Sequence, residues 1–348
     1  MQAEPAIPEH LTCPRTQRKR MPAGFEAPYP AWMARYDEGA APLVMAYFGA
    51  QQRALLPPDA LAPVKAMLKT EPAPPYWLEA QCHDGAGYDT RIIIGYWRDG
   101  ATFARWKRAS GFDAWWADPA REREPLGRFL EVVLPPMERL EVAYSPPHRP
   151  EGAGNLQSHV SACPVAEHAY WGSARDRIPA SQTDPLDGGS GSLTLVRQDA
   201  RVRVSPGPNV CMIRSGQDWT DTRGQERELY LGSVRPKLID GMTYLRDEGL
   251  SIGCYSCRFM QLLDGNGAAT ERTFGQAYFG SLAALEQWAE HHPTHLAIFG
   301  TFMHAIAPLG DAMQLRLWHE VMVLPPDAQS FEYVNCHDRT GLMAAARA

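Results

Sequence analysis

Apolar residues along this chain fall into two periods. Some stretches alternate or run unbroken for a few positions, as strands do, and others recur every three to four residues, as one face of a helix does. The run Ile92-Ile93-Ile94-Gly95-Tyr96-Trp97, followed by Phe103 and Trp106, predicts a strand leading into a helix. The same succession returns at 274–279, with Leu285 and Trp288 in the helix that follows. Tyr96 to Trp106 and Tyr278 to Trp288 are equal steps of ten residues. Downstream, Glu131-Val132-Val133-Leu134-Pro135-Pro136 and then Leu140-Glu141 recur as Glu320-Val321-Met322-Val323-Leu324-Pro325-Pro326 and then Phe331-Glu332. Each of these strands is closed by a Pro-Pro pair, because proline lacks the donor a ladder needs.

The offset between the copies drifts only from about 182 to about 191 residues, so the order of elements is kept across two halves, and duplication is the simplest account. Each half reads as strand (43–48; 209–214), helix (61–68; 225–246), strand, helix, strand and a last strand (140–144; 331–335). That is the ferredoxin-like pattern. The expected fold is α+β, two fused ferredoxin-like repeats whose sheets bury their apolar faces together. The expected units are a proline-rich N-terminal arm (1–40), a first half (41–150), a connector (151–205), a second half (206–338) and a tail (339–348). Within the connector, Gly188-Gly189-Ser190-Gly191 is the most flexible part expected.

Composition narrows the functions. The 348 residues are 45% hydrophobic, 10% aromatic and 21% charged, which suits a packed globular protein. A net charge of −6, with no basic run longer than Arg18-Lys19-Arg20, gives no field to hold a phosphate backbone. Nucleic acid is not an expected partner. Charges and prolines interrupt every candidate membrane span, and the N-terminal residues lack the basic start and apolar core of a secretory signal. A cytoplasmic protein is expected. Seven cysteines, an odd number scattered over a long chain, fit reduced thiols. Cys254 and Cys257 form a lone CxxC without a second pair, which fits buried thiols better than a zinc site.

Several side chains are candidates for chemistry. After an amphipathic helix over 282–290, His291-His292-Pro293-Thr294-His295 restarts a helix with proline in its first turn. Counting on from His295 by three and four gives Ile298, Phe299, Phe302, Met303 and Ile306, so His295 heads an apolar stripe. A neutral imidazole there suits a haem-iron ligand, although from these residues alone a core histidine is the plainer reading. His304, about half a turn out of phase, should face elsewhere. His319 shares a strand face with Leu315, Leu317, Val321 and Val323; it is either a proton-transfer group or a buried histidine bonded to a carbonyl. Ser215 ends the strand that starts near Val210 and shares the face of Cys211 and Ile213. No Gly-x-Ser-x-Gly elbow surrounds it, so a hydrolase nucleophile is disfavoured, and helix capping is the plain alternative. Arg175 and Arg177 flank Asp176, and a surface pairing among them is the plain reading. Glu141 and Glu332 are repeat equivalents, which an architectural role would also explain. No Walker loop, Rossmann fingerprint or HExxH occurs.

At these residues the chain resembles the haem-containing aldoxime dehydratases. The resemblance runs from His10-Leu11-Thr12-Cys13-Pro14-Arg15-Thr16 through Gly95-Tyr96-Trp97, Tyr170-Trp171-Gly172-Ser173, Arg177 and Ile213-Arg214-Ser215-Gly216-Gln217-Asp218-Trp219. It continues through Gly253-Cys254-Tyr255-Ser256 and His292-Pro293-Thr294-His295 to His319-Glu320, nearly the whole chain. The resemblance implies a dimeric α+β barrel type of fold with haem b in the C-terminal half, the connector contributing to the distal pocket, and conversion of an aldoxime to a nitrile and water. It implies that His295 is the proximal ligand and that ferrous iron takes the oxime nitrogen. Ser215 would bond the oxime hydroxyl, Arg177 would help position it, His319 would act as general acid and base, and Glu141 would support that network. It also implies a homodimer. Two other classes share the imidazole ligand: a haem peroxidase-like oxidoreductase and a non-catalytic haem-binding protein.

Overall fold

The computed structural model describes residues 3–53, 55–188 and 193–346, so Gly189, Ser190 and Gly191 of the expected flexible break lie outside the described residues. After β1 (Trp32–Arg35), the first half runs β2 (Val44–Arg53), α1 (Ala62–Met67), β3 (Tyr76–His83), β4 (Tyr88–Trp97), α2 (Gly100–Ala109), α3 (Phe112–Ala117), β5 (Gly127–Val133) and β6 (Leu140–Ser145). Between the halves lie β7 (His159–Val160), α4 (Ser173–Arg177), β8 (Thr194–Gln198) and β9 (Arg201–Ser205). The second half repeats the order as β10 (Val210–Asp218), α5 (Gly224–Leu229), α6 (Arg235–Asp247), β11 (Cys254–Leu263), β12 (Ala269–Phe279), α7 (Leu282–His291), α8 (Pro293–Ala305), β13 (Arg316–Leu324) and β14 (Gln329–Val334).

Matching residues start matching helices. Asp99 caps α2 by accepting from the Thr102 amide, and Ser281 caps α7 from the Ala284 amide, which satisfies donors that the first turn leaves unpaired. Both caps follow the aromatic end of a strand, Trp97 and Phe279, so the strand-to-helix punctuation is written twice.

The strands form one sheet, ordered β7-β1-β6-β13-β10-β12-β11-β3-β4-β2-β5-β14-β9-β8 among the described residues. Each half contributes four strands in one order, β5-β2-β4-β3 and β13-β10-β12-β11, joined where β3 meets β11. The last strand of each half leaves its own half: β6 pairs with β13, and β14 pairs with β5. One face of both half-sheets encloses a shared apolar core containing Met45, Tyr47, Tyr96, Met212, Phe274 and Tyr278. The opposite face of the first half packs on its helices through Phe48, Ile93, Trp106 and Phe112. The corresponding face of the second half packs on α6, α7 and α8.

Ser215 does not end its strand as the sequence pattern suggests. β10 continues to Asp218, with Gln217 and Asp218 in register with Leu317 and Arg316 of β13, so Ser215 lies within the sheet and caps no helix. Among the described residues no helix is long and apolar enough to cross a membrane. Cys254 and Cys257 lie buried in β11, and burial raises both thiols, Cys257 to about 12.

Candidate functional site

Register builds the site. One row crosses the sheet as Ala143 on β6, His319 on β13, Ser215 on β10 and Gly275 on β12. Residues directly opposite on antiparallel strands share a face with Cβ atoms about 5 Å apart, so Ser215 and His319 stand side by side, flanked by two residues with almost no side chain. All four border a cavity of about 250 Å³, roofed by α6 and α8 through Leu238, Met242, Ile298, Phe299 and Phe302. Repeat equivalence shows why there is space at this row of the second half. The matching row of the first half is Leu130, Phe48 and Ile93, and those side chains are packed into the apolar layer. The second half carries histidine, serine and glycine at the same places and is hollow.

His295 enters from the opposite wall. Pro293 sets the first turn of α8 and His292 caps it, accepting from the Thr294 amide. Trp288 and Trp171 lie edge-on to the His295 ring at 4.6 and 5.7 Å between centroids. The ring Nδ1 donates to the Ala289 carbonyl at 2.7 Å, which fixes the tautomer and leaves the Nε2 lone pair with no protein partner among the described residues. Burial pushes this imidazole down to about 4, against the opposing effect of the Ala289 bond, so it is neutral near pH 7. A neutral imidazole, oriented through Nδ1, at the wall of an apolar cavity is the donor that a haem iron takes. His304 is exposed, as its helical phase predicts.

His319 is held from behind. Arg177 Nη2 lies 2.5 Å and Glu141 Oε1 3.1 Å from its Nε2, and Nδ1 has no protein partner among the described residues. Glu141 reaches it because Glu141 and Ala143 alternate on one face of β6, with Ala143 opposite His319. Arg177 and Glu141 form a buried two-pronged pair, Nε to Oε2 at 3.0 Å and Nη2 to Oε1 at 3.1 Å. Burial alone would raise the Glu141 carboxyl; the charges of Arg177 and His319 outweigh it and hold the group down at about 2. Ser215 Oγ makes no hydrogen bond to protein among the described residues. The pairing of Asp176 with its neighbouring arginines does not occur: Asp176 accepts from the Arg20 and Met21 amides and the Tyr170 hydroxyl, while Arg175 pairs with Glu286. The repeat pairing of Glu141 with Glu332 expected from the sequence is two residues out of register: Glu332 lies opposite Leu130, the counterpart of His319, so it matches Ala143, and Glu141 matches Ser330. Glu332 pairs instead with Arg201 and Arg203.

The model of the haem-containing dehydratases matches residues 46–342. The chain belongs to this family. Curated relatives include an aliphatic aldoxime dehydratase of Pseudomonas chlororaphis, 40% identical over 99% of this chain and 98% of its own. A phenylacetaldoxime dehydratase of Bacillus sp. (strain OxB-1) is 32% identical over 93% and 94%. A crystal structure of an aldoxime dehydratase in complex with butyraldoxime superposes with a TM-score of 0.93 at 38% identity, covering 99% of this chain and 97% of that one. Family membership fits a haem at the His295 wall. The sequence patterns did not single out Tyr29 and His168, which also border the cavity. Both come from irregular segments, where no periodicity marks a facing side.

Proposed function

We propose that this chain binds haem b through His295 Nε2 and dehydrates aldoximes to nitriles, R–CH=N–OH giving R–C≡N and water. The observation that carries the reading is the Ser215–His319 pair, opposite each other in register on one wall of the cavity that His295 borders from another. When bound, ferrous haem supplies an open iron site for the oxime nitrogen and electron density that weakens the N–O bond. Ser215 Oγ, without a protein partner among the described residues, hydrogen-bonds the oxime hydroxyl. His319, charged, gives its proton to the departing hydroxyl; neutral, it takes the proton from the oxime carbon, so the imidazolium returns and no net proton or electron is consumed. Glu141 accepts from Nε2–H in both forms, which leaves Nδ1 as the nitrogen that gives and takes the proton, and Arg177 holds the Glu141 carboxylate in place through their two-pronged pair. The apolar roof excludes water and strengthens each of these contacts.

In this reading the two halves are ferredoxin-like repeats, supported by their common strand order. The haem lies in the C-terminal half, the connector completes the distal side through Arg177, and the chain works as a cytoplasmic homodimer. The test is anaerobic incubation of the reduced protein with an aldoxime and no oxidant. Nitrile should form, whereas a peroxidase-like enzyme would give none. His319→Ala should keep the haem and lose at least about a hundredfold in kcat, and His295→Ala should lose the haem Soret band. Full activity in His319→Ala would overturn the assignment.

A further inference from the structure

His168 is a buried imidazole that the mechanism above does not use. It is 8% exposed, borders the same cavity as Ser215 and His319, and neither ring nitrogen has a hydrogen-bond partner among the described residues. Its position is well defined. Its amide donates to the Ala166 carbonyl, Arg177 Nη1 donates to the carbonyl of the preceding Glu167 at 2.8 Å, and the ring meets Tyr29 edge-on at 4.7 Å. Tyr29 in turn packs edge-on against Phe302 of α8. Burial first, then the charges of Arg177 and His319, hold the imidazole well below its usual range, so it is a neutral ring with one donor and one acceptor.

Leaving a buried polar group unpaired is costly, because it has given up its water and gained nothing in return. His168 is buried, borders the cavity and has no partner among the described residues, so the cavity is where a partner would come from. We propose that His168 hydrogen-bonds the oxime oxygen, as hydroxyl before the N–O bond breaks and as water afterwards. This rests on the aldoxime reading. Arg177 is the common anchor: one guanidinium nitrogen fixes the backbone beside His168 and another holds Glu141 beside His319, so both imidazoles are referred to one rigid group. The oxygen would then be shared by Ser215, His319 and His168, in a pocket otherwise too apolar to hold it.

The experiment compares binding of a short straight-chain aldoxime with that of its O-methyl ether, read from the haem spectrum, together with kcat and KM. The holoproteins are wild type, His168→Leu, His168→Phe and His168→Gln. In His168→Leu and His168→Phe the oxime should weaken by about tenfold, one hydrogen bond's worth, while the ether is unchanged; glutamine, which keeps a donor and an acceptor, should restore part of the loss. Equal weakening of both ligands, or no change in either, would overturn the proposal, as would failure of both apolar variants to hold haem, since the ring would then be structural. A wild type that binds no oxime refutes the functional reading; oxime binding indifferent to His168 refutes only this one.

Discussion

Glu141 keeps its charge where burial alone would remove it. Its folded-state value of about 2 lies below the ordinary 4.5, so it contributes stability that is complete above about pH 4.5 and is lost as pH falls towards 2. Glu141→Gln should therefore be less stable than wild type near neutral pH, with the gap narrowing as the solution is acidified through that window. Urea midpoints between pH 7 and 2.5 check this, and a gap that widens on acidification would contradict it. At this scale the sequence was legible wherever a residue sat on a periodic element. His295 on its apolar stripe and His319 on its alternating strand both face the cavity. Arg177 was illegible from its neighbourhood, because its partner is 36 residues away and joined to it only by the fold.

The elements carry the site through register more than through any single side chain. The row Ala143, His319, Ser215 and Gly275 gives chemistry two small neighbours, and a Cβ built on Gly275 would lie 2.6 Å from Met242 Sδ on α6. Gly275→Val should lower haem content per chain several-fold by filling the cavity and displacing the Met242 side chain. The ratio of Soret to protein absorbance measures it, with far-UV circular dichroism showing the sheet intact. Element order, the Pro-Pro breaks and the twin strand-to-helix steps were all readable, since they depend on local composition. The exit of β10 was not: Gly216-Gln217-Asp218 lacks strand propensity, and pairing with β12 and β13 extends the strand regardless.

Across the whole molecule, the halves are tied by two equivalent buried clusters. Glu131 takes Arg258 at 2.6 and 2.8 Å and the Tyr333 hydroxyl at 3.0 Å, and Glu320 takes Arg214 at 2.8 Å and the Tyr96 hydroxyl at 3.2 Å. Each glutamate reaches a cation or tyrosine of the opposite half. Glu131→Gln, which strands the Arg258 charge, should cost about 3 kcal/mol, while Glu131→Leu with Arg258→Met should recover much of it. Denaturant midpoints measure both, and neither variant should alter turnover at 25 °C, because this cluster lies away from the haem wall. Repetition was visible in the sequence as a shifted copy; the cross-pairing was not, because an offset records order and says nothing about which copy a strand lies against.

That cross-pairing, β6 on β13 and β14 on β5, makes each half hostage to the other. Glu141 arrives at His319 as a loan from the N-terminal copy, so neither copy synthesised alone would possess the whole cluster at the cavity. A polypeptide severed between them would still be clasped at both ends, two pieces behaving as one enzyme.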